Sequence, residues 1–155
     1  MAESARDEGQ APPASWSQLT AINTAKMLTI VLLLVLAAVV GMQDMRQVVY
    51  LSLHISYCLW WLLEQWLFPE RARQLFSERV GVVGFGFALL FIGVLYSLPG
   101  LLAFLNPVPI SQAAVAVALG LFSFGSLINA SADAQKTTAK AMGAGLVSDG
   151  IWRRV

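Results

Sequence analysis

Apolar and polar positions alternate along this chain in long blocks. Four apolar runs, at about residues 22–42, 48–68, 80–98 and 111–130, are separated by short polar or proline-containing breaks. Each run is close to the length of about 20 residues that a helix needs to cross a hydrocarbon core of about 30 Å. The pattern therefore predicts an all-α, polytopic membrane protein with four transmembrane helices.

A polar segment precedes the first run. Residues 1–15 (MAESARDEGQAPPAS) combine charged residues with Gly, Pro and Ala, and carry no large apolar side chain after Met1. Such a segment has nothing to bury, so we expect a disordered tail followed by a transmembrane domain over 16–142. The capping-box spacing of Ser15 and Gln18 predicts that the first helix begins at the next residue, Trp16.

The later breaks differ in character. QDMRQ at 43–47 predicts a short polar turn, and PERARQLFSER at 69–79 predicts a charged loop or surface helix. NPVP at 106–109 predicts a turn. Within the third run, LPG at 98–100 is expected to kink or end the helix, because proline lacks the N–H that continues the hydrogen-bond ladder.

The fourth run continues into a polar region without a helix-breaking residue. Because no Gly or Pro lies between Gly125 and Met142, the sequence predicts one helix over 111–142 that Gly143 or Gly145 ends. At 1.5 Å per residue this helix is about 48 Å long, so about a third of it extends beyond the membrane core. Small residues in the third and fourth runs also predict a tight hairpin between these two helices.

Composition independently favours a membrane location. Hydrophobic residues make up 57% of the 155 residues, charged residues only 12%, and the mean hydropathy is +0.68. A soluble domain carries about 25% charged residues, so this chain lacks the polar surface for water. A net charge of +1 argues against a broad basic surface for nucleic acid. The single cysteine, Cys58, excludes an intrachain disulfide.

The positions of lysine and arginine predict an orientation. With four spans, nine of the ten basic residues fall on one side of the membrane, and only Arg46 falls on the other. Because Lys and Arg are in excess on the cytoplasmic side, we expect both termini and the helical extension in the cytoplasm. The nine residues are Arg6, Lys26, Arg71, Arg73, Arg79, Lys136, Lys140, Arg153 and Arg154.

Two ionisable residues, His54 and Glu64, fall inside the predicted spans, where burial costs about 3 kcal/mol unless the group is paired. Their separation turns them about 80° from each other on a helix, so they do not form an obvious pair. Glu64 is close enough to the end of its span to reach Arg71 or Arg73, which favours an ion pair over a role in lipid binding. For His54, a neutral, hydrogen-bonded core histidine is the simpler interpretation and proton transfer is the alternative.

Aromatic side chains cluster in the second run. The simplest interpretation is an interfacial belt combined with helix packing, and the alternative is the wall of a groove for a prenyl or sterol lipid. The cluster consists of Tyr57, Trp60, Trp61, Trp66 and Phe68.

A polar stripe follows the fourth run. Asn129, Asp133, Lys136 and Lys140 have helical spacing that puts them on one face of the long helix. The simpler interpretation is a solvated cytoplasmic face with a weak Asp to Lys pair. The alternative is one wall of a cofactor site, in which two ammonium groups hold phosphate oxygens.

The carboxyl-terminal residues carry a resemblance to a known family. DAQK at 133–136, then Lys140, then GLVSDGIWRRV at 145–155 resemble the membrane superfamily that joins sterol reductases, steroid 5-alpha-reductase-like proteins and isoprenylcysteine carboxyl methyltransferases. In the sterol-reductase-like branch, Gln-Lys-x-x-Phe-Arg on a helix leads to Gly-x-x-x-x-Gly-hydrophobic-aromatic. An Arg-His-x-Asn-Tyr segment then follows.

The match to that branch is partial. Gln135 and Lys136 agree with it, whereas Ala139 replaces the Phe and Lys140 replaces the Arg. Lysine keeps the charge of arginine but not its planar fork, which weakens the case for phosphate binding at this position. The later match comprises Gly150, Ile151 and Trp152.

The resemblance implies a membrane enzyme that transfers hydride from NADPH to a carbon–carbon double bond of an isoprenoid or sterol-like lipid. It implies cofactor contacts from Gln135, Lys136, Lys140, Trp152 and Arg153, with the two lysines on phosphates. Residues 143–155 would begin a cofactor-binding region that the Arg-His-x-Asn-Tyr segment completes. We therefore expect residues 1–155 by themselves to bind the cofactor poorly and to be inactive.

Two alternatives stay open at this stage. An S-adenosylmethionine-dependent methyltransferase of the isoprenylcysteine carboxyl methyltransferase type has the same implied fold, although Gln135 and Lys136 favour the reductase branch. A non-catalytic membrane subunit or assembly factor, acting on a membrane protein partner, is the third hypothesis.

Overall fold

The computed structural model describes residues 16–69, 72, 76–143, 145 and 150, and this part of the chain is mostly helical. The predicted disordered tail, residues 1–15, lies outside the described residues. So do residues 70, 71 and 73–75 of the charged segment that follows the second helix. The description below therefore concerns the apolar part of the chain and the polar end of its last helix.

The described part of the chain begins with a short strand rather than with the first helix. Strand β1 (Trp16–Ser17) pairs antiparallel with β2 (Arg79–Val80). The first helix, α1 (Gln18–Val40), follows, and its cap is Ser17, whose hydroxyl oxygen accepts the Thr20 backbone N–H at 3.1 Å.

The prediction that the helix begins at Trp16 is therefore wrong. The Trp16 ring lies 5.0 Å from the Phe85 ring, centroid to centroid, so the chain is extended here to bring the indole onto the third helix. At its other end α1 stops at Val40, two residues short of the predicted Met42. Gly41 has a φ of 81°, which a glycine adopts without strain.

The second helix, α2 (Met45–Leu67), begins inside the predicted polar break of 43–47. Gln47 Oε1 accepts the Asp44 N–H at 3.0 Å and completes a capping box. The Gln47 side chain is buried, and its Nε2 donates to the Phe104 carbonyl oxygen at 3.4 Å. The turn between the first two helices is thereby anchored to the end of the third helix.

The third helix, α3 (Val82–Leu105), is continuous through residues 98–100, where the sequence predicted a kink or an end. Pro99 lies in the first turn of the last α-helical segment, where its missing N–H breaks no regular ladder. The irregularity begins earlier, at Leu89. The segments in order are α-helical Val82–Ala88, π-helical Leu89–Val94, 3-10-helical Leu95–Ser97 and α-helical Leu98–Leu105.

Two glycines of α3 permit its close approach to neighbouring helices. A Cβ atom on Gly93 would lie 2.9 Å from Leu28 Cδ2 of α1. A Cβ atom on Gly100 would clash with Leu33 Cδ2 and lie 2.9 Å from Tyr50 Cε1 of α2. α1 and α3 therefore approach closely at Gly93, and the first three helices meet at Gly100.

The fourth helix, α4 (Gln112–Ala141), lies one residue inside the predicted bounds at each end. Ser111 caps it by accepting the Ala114 N–H at 3.1 Å, and Gly143, with a φ of 78°, follows its last turn. None of its residues is buried, and large apolar side chains such as Leu121 and Phe124 are each 70% exposed. Such a surface is stable in a lipid environment rather than in water.

The tight hairpin predicted between the third and fourth helices does not form. α3 packs chiefly against α1, and α4 contacts chiefly α2. A Cβ atom on Gly120 or Gly125 of α4 would meet nothing within 4 Å, and one on Gly84 would meet only Val80. The small residues of α4 therefore leave space instead of closing an interface.

Three described helices, α1, α3 and α4, are long and apolar enough to cross a membrane, which indicates an integral membrane protein. Helix α2 has the same 23-residue length as α1. It is more polar, because Arg46, Gln47, His54, Glu64 and Gln65 lie along it. The count of four spans stays a prediction, as does the cytoplasmic placement of the end of α4.

Candidate functional site

A groove of about 850 Å³ lies between α2 and α4, with Tyr96 of α3 at one side. Pockets for small molecules and cofactors commonly have volumes of about 300–1,000 Å³. The walls are largely apolar and carry a few polar groups. The polar side chains that line it include those of Tyr50, His54, Tyr57, Ser126 and Asn129.

Helical spacing explains why these residues share the groove. On α2, Tyr50, His54 and Tyr57 follow each other at three or four positions and therefore lie on one face. On α4, Gly125 and Ser126 lie opposite that face. Because they are small, the two helices leave a ligand-sized volume between them.

The His54 side chain is hydrogen-bonded, as the sequence predicted for a core histidine. Its Nδ1 and the Tyr50 hydroxyl share a hydrogen bond of 2.8 Å, and the Tyr96 ring stands edge-on at 5.1 Å. Its Nε2 is buried and has no hydrogen-bond partner among the described residues. The interpretation of His54 as hydrogen-bonded is confirmed, and its protonation state stays a prediction.

Lys26 is the functional candidate that sequence reasoning missed. It was counted among the residues on the cytoplasmic side, but its side chain is buried in α1, about 12 Å from Gln18 at 1.5 Å per residue. Its Nζ lies 4.3 Å from the centre of the Tyr57 ring and 4.8 Å from that of Tyr96. The sequence feature that indicated its burial was its position between Ile22 and Ile30, inside the predicted span.

The surroundings of Lys26 make it unusual. Among the described residues it makes no ion pair or hydrogen bond, and two tyrosine rings supply cation–π contacts instead. Both rings also line the groove. A buried ionisable residue inside a membrane is expensive and is therefore a functional candidate.

The aromatic cluster predicted on α2 divides between two roles. Tyr57 and Trp60 line the groove, and a prenyl or sterol lipid as its occupant stays a prediction. Trp66 and Phe68 are exposed, as expected for an interfacial belt. Trp61 takes a third role, in a side-chain network with α1.

That network joins α1 and α2 through amide groups. Asn23 Nδ2 donates to Gln65 Oε1 at 2.7 Å, and Gln65 Nε2 donates to Asn23 Oδ1 at 2.9 Å. Trp61 Nε1 also donates to Asn23 Oδ1, at 3.0 Å. The network therefore holds the end of α2 against the start of α1.

The polar stripe of α4 continues the face that lines the groove. Asn129 belongs to the groove lining. Asp133 and Lys136 are partly buried, whereas Lys140 is exposed. The four stripe residues therefore lie on one helical face, as the spacing predicted. This face runs from the groove, at Asn129, to the exposed Lys140.

The remaining predicted cofactor residues are only partly described. The Gln135 side chain packs on Gly150, since a Cβ atom there would lie 2.6 Å from Gln135 Oε1, and Gly150 has a φ of 64°. The chain thus returns to α4 after its end. Trp152 and Arg153 lie outside the described residues, as do Arg71 and Arg73, the predicted partners of Glu64.

Metal ligation finds no support in the described part of the chain, where no three His, Cys, Asp or Glu side chains converge. Cys58 is a buried free thiol on α2.

No family model, curated protein or solved structure matches this chain. The resemblance to sterol-reductase-like enzymes therefore stays an expectation that rests on residues 133–155.

Proposed function

We propose that this protein is a membrane-embedded reductase-like enzyme, or the membrane part of one. It binds an isoprenoid or sterol-like lipid in the groove between α2 and α4 and uses NADPH to reduce a carbon–carbon double bond. The observation that carries the proposal is the continuity of one α4 face, from the groove lining to the lysine stripe.

The residues of this α4 face have helical spacing from the groove to the lysines. Ser126, Asn129 and Asp133 follow each other at three and four positions, and Lys136 and Lys140 extend the same row. Asn129 and Lys140 are therefore about 16 Å apart along the helix axis. A dinucleotide carries its phosphates at a distance from its reactive ring, so phosphates at the lysines would leave the ring near the groove.

Two residues of the stripe favour the binding of cofactor phosphates, and one opposes it. Lys136 and Lys140 each offer an ammonium group for charge-assisted hydrogen bonds to phosphate oxygens. Asp133 lies one turn before Lys136, where its carboxylate opposes an anion. Bound NADPH would supply the hydride, while this chain's residues hold the phosphates and enclose the lipid.

The groove can be tested with two matched glycine variants of α4. Gly125 lines the groove and Gly120 does not, yet a Cβ atom on either would meet nothing within 4 Å. We expect Gly125→Leu to fill the groove and to weaken binding of a fluorescent sterol or isoprenoid probe at least tenfold, which corresponds to about 1.4 kcal/mol. The measurement is a titration of the purified protein in detergent micelles.

Gly120→Leu is the control, because it adds the same side chain to the same helix outside the groove. We expect it to bind the probe like the wild-type protein. Equal affinity of both variants, or no saturable binding to the wild-type protein, would refute the groove as a lipid site.

The proposed orientation, with both ends of the chain in the cytoplasm, is tested by topology reporters. Removing Lys26 from the count leaves eight basic residues on one side against Arg46 on the other, so the positive-inside bias persists. Reporters inserted after Arg46 and after Val155 should give opposite compartments. A result in which both report the same compartment would reject the four-span arrangement.

A further inference from the structure

The π-helical turn of α3, Leu89–Val94, lies against a single hydroxyl group of α1. A π-turn bonds residues five apart, so carbonyl oxygens in and after it do not all have their usual α-helical partners. The Thr29 side chain is fully buried, and its Oγ1 lies 2.8 Å from the Ile92 carbonyl oxygen and 3.2 Å from that of Gly93. It also lies 3.1 Å from the Ala25 carbonyl oxygen of its own helix.

The geometry ties this hydroxyl to the irregular turn. In a regular helix a threonine commonly bonds only the carbonyl four residues before it, which here is Ala25. Thr29 has two further acceptors on another helix, and Gly93 lets the backbones approach because a Cβ atom there would lie 2.9 Å from Leu28 Cδ2. The hydroxyl, which has one proton to donate, thus lies within hydrogen-bond distance of two carbonyl oxygens of the π-turn.

Tyr96 lies two residues after this turn, in the 3-10-helical segment, so its direction depends on the geometry of the turn. A π-turn holds about one residue more than an α-turn, so converting it would rotate the residues after it by about 100° relative to those before it. Tyr96 lines the groove, stands edge-on to His54 at 5.1 Å, and lies 4.8 Å from Lys26 Nζ. Rotation about the axis of α3 would remove it from all three.

We propose that Thr29 is a positioning residue for the groove: its hydroxyl holds the π-turn of α3, and the π-turn directs Tyr96 to His54, Lys26 and the bound lipid. The role in lipid binding rests on the proposed function of the groove. The positioning of Tyr96 does not, and it can be measured without any ligand.

The chain contains three tyrosines, and all three, Tyr50, Tyr57 and Tyr96, line the groove. Protein labelled with 3-fluorotyrosine should therefore give three fluorine NMR resonances, each assignable by a Tyr→Phe variant. Lys26→Met provides a reference, because it removes the ammonium group that contacts both Tyr57 and Tyr96. We expect it to displace those two resonances.

The decisive variant is Thr29→Val, which keeps the shape of the side chain and removes its hydroxyl. We expect it to displace the Tyr96 resonance to an extent comparable with Lys26→Met, while Tyr57, which lies on α2, keeps its wild-type position. Thr29→Ser retains a hydroxyl and should leave the Tyr96 resonance unchanged. Thr29→Ala should displace it as Thr29→Val does.

Several outcomes would overturn the proposal. A wild-type Tyr96 resonance in folded Thr29→Val protein shows that the hydroxyl does not direct this ring. Equal displacement of all three resonances, or failure of both Val and Ala variants to fold while Ser folds, marks Thr29 as a purely structural residue. The fluorine spectra decide the role of Thr29, and the separate Gly125→Leu titration decides whether the groove binds lipid.

Discussion

Replacing Gly100 with leucine is expected to cause the largest loss of stability of any single substitution considered for this protein. Overpacking of a well-packed site lowers the free energy of unfolding by about 1–3 kcal/mol, and this site is at the upper end. The added Cβ atom would clash with Leu33 Cδ2 and lie 2.9 Å from Tyr50 Cε1. Since Leu33 is 1% exposed, it has little room to move away.

The matched control is Gly86→Leu on the same helix. A Cβ atom on Gly86 would meet nothing within 4 Å, so the leucine should extend into the surroundings of α3 and leave stability nearly unchanged. The two variants are compared by thermal unfolding in the same detergent. Equal melting temperatures for Gly100→Leu and Gly86→Leu would contradict the packing of α3 described here.

The Gly100→Leu variant is also expected to change the groove, although Gly100 does not line it. Tyr50 contacts Gly100 on one side and shares a hydrogen bond with His54 on the other. A side chain that displaces the Tyr50 ring should therefore also disturb His54, which lines the groove. The variant is expected to bind a lipid probe less tightly even at temperatures where it is fully folded.

Changing Lys136 and Lys140 together to glutamine is expected to lower NADPH affinity at least tenfold in a chain that includes the Arg-His-x-Asn-Tyr segment implied by the resemblance. Each lysine would lose a charge-assisted contact of about 1.5–3 kcal/mol, and about 1.4 kcal/mol already corresponds to a factor of ten. The measurement is a binding titration of NADPH, with protein in detergent or lipid nanodiscs. Lys136 is engaged within the chain as well, so thermal unfolding of each variant is recorded alongside.

The control pair is Lys136→Arg with Lys140→Arg, which keeps both charges. We expect it to preserve or raise the affinity, because the guanidinium group binds phosphate in a bidentate manner. NADPH binding that is indifferent to the glutamine changes would refute the assignment of these lysines.

The same titrations separate the proposed reductase from its two rivals. S-adenosylmethionine has no phosphate, so a methyltransferase should bind it and lose far less affinity from the loss of both lysines. A non-catalytic subunit or assembly factor should bind neither cofactor. Its function would then involve a membrane protein partner.

The sequence by itself determined the positions of the helices and the approximate ends of α1, α2 and α4. The bounds of α4 followed from Ser111, a glycine-free polar region and Gly143, because capping and chain termination are local properties. The membrane location followed from composition, because burial of apolar surface in lipid depends on the total amount of apolar sequence. The common face of Asn129, Asp133 and Lys136 followed from helical periodicity.

Tertiary structure alone decided which helices meet and what lies between them. Small residues predicted that α3 and α4 pack together, but small residues only permit close approach, and the complementary surfaces of α1 and α2 were not readable from their sequences. The same limit hid the burial of Lys26, whose acceptors are tyrosine rings on two other helices. From the sequence, Thr29 could not be distinguished from any other helical threonine. The carbonyl oxygens that it contacts on α3 belong to a turn more than sixty residues away.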